Sequence, residues 1–136
     1  MKYRLVHAEY FPEERTSEAI IDTMHGLFYG VAHCHPEEEY ESHFAGCRIA
    51  ESRAILRAVQ FEKNILNHQI KELEDFEKIL KSLKEYNHHS VECRRLRRRI
   101  HELKDIRKEY IKQIKAIKEG ITKTMDERDA FLAKTK

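Results

Sequence analysis

The chain has 136 residues, 37% of them charged, with a mean hydropathy of -0.74, a formal net charge of +2 and no tryptophan. That length supports one modest core and excludes two independent ones. No stretch approaches the ~20 apolar residues that span a bilayer, and the three cysteines, Cys34, Cys47 and Cys93, give an odd count without a disulfide framework. The opening residues MKYRLVHAEY have no apolar centre like that of a signal peptide. Together these lead to an expectation of a reducing cytoplasm and no membrane partner.

Residues 3–10 alternate well enough for a strand, with Tyr3, Leu5 and His7 on one face and Arg4, Val6 and Ala8 on the other. After Pro12, TSEAIIDTM fits either a short helix or a loop, and HGLFYGVAHC reads as a second strand. Two strands alone are marginal in water, so this β-hairpin-like lobe, residues 1–37, must pack on a helix or on another chain.

From about residue 38 to 86 no proline intervenes, and Val59, Leu66, Leu73 and Leu80 recur every seven residues. Ile55, Phe76 and Leu83 complete that seam, and Glu62 and Gln69 interrupt it. NHHS at 87–90 is a turn, with Ser90 as N-cap of a second helix over about 91–133. There Leu96, Leu103, Tyr110 and Ile117 form one column and Ile100, Ile114 and Ile121 another, broken by Arg107.

The expected fold is therefore mainly α, a long antiparallel helical hairpin of coiled-coil type over 38–136, in one domain with the small N-terminal lobe. Residues equidistant from the turn place Gln69 near Arg107 as a polar layer that sets register. Ile65, Ile70, Ile79, Ile106 and Ile111 lie beside the seam, which points to pairing with a second hairpin and a homo-oligomer.

Charge is distributed unevenly. Residues 1–60 carry 6 Lys/Arg against 10 Asp/Glu, and residues 91–136 carry 15 against 8. The densest basic run is Arg94, Arg95, Arg97, Arg98 and Arg99, a patch suited to phosphates, nucleic acid or an acidic partner. No aromatic residues interleave these arginines to stack bases, so nucleic acid is the weaker partner.

The stretch GVAHCHPEEEY, residues 30–40, concentrates chemistry at the strand–helix joint. Cys34 and His35, with His43 and Cys47 at i,i+4 on a helix, are metal-ligand types, but no CxxC anchors them. A buried cysteine and a capping His-Pro joint are the more economical reading, and no metal or cofactor is expected. Pro36 and the carboxylates after it suit the first turn of a helix. No GxSxG, P-loop or HExxH occurs, so no catalytic residues are assigned and a non-enzyme is expected. Arg53 and Arg57 are i,i+4, with Arg48 about a turn and a half earlier. Guanidinium forks beside His33 and His35 suit a phosphorylated small molecule, with Tyr29 or Tyr40 to stack a base. Surface ion pairs are the structural alternative for these arginines.

The segment GVAHCHPEEEYESHFAGCRIAESRA resembles a signature of small phage and prophage proteins. In that signature a strand ends in Gly-x-Ala-x-Cys-His-Pro, an acidic pair and an aromatic follow, and a helix begins Gly-x-x-x-Ala-x-x-Arg-Ala. Gly30, Ala32, Cys34, His35, Pro36, Glu37, Glu39, Tyr40, Gly46, Ala50, Arg53 and Ala54 occupy those places, with Glu where Asp is usual and Tyr for Phe. The resemblance covers about 25 residues and excludes the long hairpin. It implies a phage origin, a host-cytoplasmic location and a link to anti-defence proteins that sequester nucleotide immune signals. Such a protein would be a non-catalytic oligomer holding a cyclic nucleotide or cyclic ADP-ribose in an interface pocket. The alternative is a coiled-coil module that grips a host protein or nucleic acid through the arginine-rich end.

Overall fold

The computed structural model describes residues 1–33, 43–83 and 90–135. Its elements are three strands, β1 (Tyr3–Phe11), β2 (Thr16–Thr23) and β3 (Gly26–His33), then two helices, α1 (His43–Lys81) and α2 (Val91–Thr135). The helical hairpin expected from the heptads is present. By their contacts the residues form two compact units, 1–60 with 114–136, and 61–113.

In the first unit the strands make an antiparallel meander in the order β1-β2-β3. The ambiguous segment TSEAIIDTM is the central strand: Ser17, Ala19 and Ile21 alternate inward and each is 0% exposed. The adjacent pair Ile20 and Ile21 obscures this alternation in the sequence. Register slips at Leu5/His7, so Leu5 pairs with Ile21 but Ala8 pairs with Ala19. This bulge puts Val6 out of step and moves His7 to the opposite face from Leu5, correcting the simple alternation expected for β1.

Both hairpin turns use positive φ. Arg15 (φ 50) closes the Pro12–Arg15 turn through its N–H to the Pro12 carbonyl (3.3 Å). At the second, His25 N–H donates to Thr23 Oγ1 (3.1 Å), that hydroxyl donates to the Gly26 carbonyl (3.0 Å), and Gly26 takes φ +105. Glycine accepts that conformation without a Cβ clash.

α1 lies directly on this sheet because its inner face is small. Gly46, Ala50, Ala54 and Ala58 recur every four residues, and all are buried. A Cβ at Gly30 would overlap the Ala50 carbonyl oxygen and come within 2.6 Å of the Ala54 nitrogen; one at Gly46 would overlap Ser17 Oγ. Ala19, Ala32, Ile49 and Ala50 form one buried cluster, with Ile121 and Met125 of α2 packed against it. Ile21, Ala54 and Ala58 form another, flanked by Phe28 and Ile55.

In the second unit residues 61–81 of α1 pack on residues 91–113 of α2. Leu66, Ile70 and Leu103 are buried together, with Leu73 and Tyr110 alongside. Ser90 caps α2, accepting the Cys93 N–H on Oγ (3.2 Å). The partners run antiparallel: Lys104 Nζ lies 3.0 Å from Glu74, and Arg107 Nη1 donates to Asn67 Oδ1 at 3.3 Å.

Three seam assignments change. The partner of Arg107 is Asn67 rather than Gln69, which is exposed. Ile70 is 2% exposed and belongs to the core rather than to a spare face. Phe76 and Leu83 are 51% and 54% exposed, because the buried face of α1 continues from Leu73 through the partly covered positions 77 and 80.

Candidate functional site

β3 is an edge strand, so alternate carbonyls along its outer side lack a strand partner. Arg53 Nη1 donates to the Val31 carbonyl at 2.7 Å and Arg57 Nη1 to the Tyr29 carbonyl at 3.0 Å. The i,i+4 spacing on α1 thus matches the two-residue repeat of the strand, and both guanidinium groups stand along one edge. A guanidinium has five N–H donors, and each carbonyl bond uses one.

His33 ends the strand and is exposed. The Thr16 hydroxyl lies 3.0 Å from the Glu14 carbonyl, to which it can donate its single hydrogen, and 3.0 Å from His33 Nδ1. Both contacts are satisfied together only in the neutral tautomer that carries its proton on Nδ1, which leaves the Nε2 lone pair on the far side of the ring. Neither Thr16 nor Glu14 is signalled by the sequence, because only the β2–β3 register places Thr16 opposite His33.

Tyr29 is 41% exposed and its hydroxyl donates to Glu18 Oε1. That hydrogen bond, then desolvation and the Glu18 and Glu14 charges, raises the phenol above its ordinary range, while Arg57 opposes the shift. The edge is of mixed sign, with two arginines on the backbone carbonyls and the Glu18 carboxylate on the tyrosine hydroxyl.

Four of the sequence-predicted ligand residues, Tyr29, His33, Arg53 and Arg57, are therefore gathered along β3. Arg48 is exposed and stands five residues before Arg53, roughly 140° around the helix. His35, Tyr40 and Cys34 lie outside the described residues, as does the side chain of His43. Cys47 is a partly buried free thiol, and the described residues include no group of three or more His, Cys, Asp or Glu arranged to hold a metal. In the basic run, Arg94, Arg95, Arg97, Arg98 and Arg99 are all exposed, and Arg99 pairs with Glu102 at 3.5 Å.

Among the described residues no helix is long and apolar enough to cross a membrane. No family model, no curated protein and no solved structure matches the chain.

Proposed function

We propose that this chain is a non-catalytic binding protein that sequesters a small phosphate-bearing nucleotide along the outer edge of β3. The ligand class follows the resemblance to phage proteins: a cyclic nucleotide or a cyclic ADP-ribose-type immune signal. The observation that carries this reading is the alignment of Arg53 and Arg57 on the backbone edge of β3, the strand that also bears the exposed Tyr29 and His33. Forked guanidinium donors hold phosphate oxygens bidentately, and an exposed phenol ring supplies a stacking face for a base.

Calorimetric titration and thermal shift with cyclic ADP-ribose isomers and cyclic oligonucleotides test it. The expected result is a saturable heat and a raised Tm for at least one of them. Arg57→Lys keeps the charge but removes the fork, and should weaken binding by about tenfold. No response from the whole set overturns the proposal.

A second reading has its own observation, the five exposed arginines in the first turns of α2. In it the chain is a coiled-coil interaction module that grips an acidic host protein or nucleic acid. Replacing all five with serine would abolish that activity and leave nucleotide binding intact, whereas Arg57→Lys would do the reverse.

A further inference from the structure

The face of α1 turned away from α2 in the second unit carries its own apolar stripe. Leu66, Ile70 and Leu73 point into the hairpin, and on a flank centred roughly 130° around the helix Phe61, Ile65, His68, Glu72, Phe76 and Ile79 follow steps of four or three residues. Phe61, Phe76 and Ile79 are 42%, 51% and 61% exposed. The two polar members are adjacent at the middle, where His68 Nε2 lies 3.4 Å from Glu72 Oε1 with both side chains mostly exposed. A shallow, largely apolar depression is lined by Phe61, Asn64, Ile65, His68 and Gln69.

The order of residues in the stripe is self-complementary. Turned end for end about a point level with Ile70, it places Phe61 against Ile79 of a second copy, Ile65 within one residue of Phe76, and His68 against Glu72. A two-fold interface needs this property, because each residue that contacts another must be contacted by its copy in return. The charges discriminate against the alternatives. Parallel pairing stacks Glu72 on Glu72 and His68 on His68, and antiparallel pairing centred two residues later, at residue 72, also sets Glu72 against Glu72. Only the register centred near Ile70 gives two His–Glu layers between apolar ends, and polar residues in such a seam specify register.

We infer that α1 is a homodimerisation surface and that its occupant is the same stretch of a second copy, antiparallel, over about 27 Å of helix at ~1.5 Å per residue. The inference rests on the hairpin alone and not on the ligand reading, so the two fail separately.

Sedimentation across a concentration series tests it, with circular-dichroism melts as the check on folding. The full chain should sediment as a dimer, and Ile65→Glu with Phe76→Glu should give a monomer that still melts cooperatively from a helical state, at a temperature lowered by the lost association. His68→Glu should raise the dimer dissociation constant at least about tenfold by setting carboxylate against carboxylate. His68→Glu combined with Glu72→Lys should restore it. A wild-type monomer at every concentration overturns the inference, and so does a dimer that survives Ile65→Glu with Phe76→Glu. A charge swap that fails to restore association overturns the antiparallel register.

Discussion

Gly30 shows how much a single missing atom decides here. β3 lies so close to α1 that a methyl group at this position would enter the Ala50 carbonyl. Gly30→Ala must therefore push strand and helix apart, and a destabilisation of about 3 kcal/mol or more is expected in urea unfolding, at the upper end of overpacking effects. The oriented ring of His33 gives a second expectation: ring nitrogen shifts should show Nδ1 protonated in the neutral state. Thr16→Val should release the ring to mixed tautomers, and an Nε2–H tautomer in the wild type would contradict the Thr16–Glu14 relay.

Titration supplies a third. Tyr3 and Tyr110 are raised above 10.0 first by burial, then by Glu51 and Glu62 respectively, and Tyr29 is raised first by its hydrogen bond to Glu18. Below pH 10.0 the folded and unfolded chains hold the same phenolic protons. As pH rises through the folded values the unfolded chain gives them up first, so stability falls across that window. Urea midpoints on either side of pH 10.0 should show the fall, and Tyr110→Phe should lessen it.

At the scale of elements, α2 contains one glycine well inside a helix. Gly120 is exposed and a Cβ there would meet nothing within 4 Å. Gly120→Ala should therefore stabilise the protein by about 0.5–1 kcal/mol, read as a Tm raised by a few degrees. The two helices were legible because leucine and isoleucine at seven-residue spacing admit few other folds, while the turn expected at 87–90 lies mostly outside the described residues.

The sheet was less legible. β2 hides its alternation behind Ile20 and Ile21, and the bulge at Val6 has no sequence mark. The seam was read a residue or two out of place at Asn67, Ile70 and Phe76, because rotation about a long helix is set by the partner's side chains. In the candidate site, the spacing of Arg53 and Arg57 was visible, but their acceptors are backbone carbonyls, and no residue type announces a carbonyl on an edge strand. The small residues Gly30, Gly46, Ala50 and Ala54 let helix and strand touch, and Arg53 binds the strand edge.

For the whole molecule, the proposed nucleotide binding falls on the β3 edge and the inferred association on the outer flank of α1, both away from the arginine-rich start of α2. One measurement bears on that division most directly: mapping a cyclic ADP-ribose or cyclic oligonucleotide titration onto side-chain resonances by NMR. The account predicts saturable shifts at the His33 ring and at the guanidinium groups of Arg53 and Arg57, with Arg94–Arg99 unmoved. Shifts confined to Arg94–Arg99, or none at any ligand concentration, would contradict it.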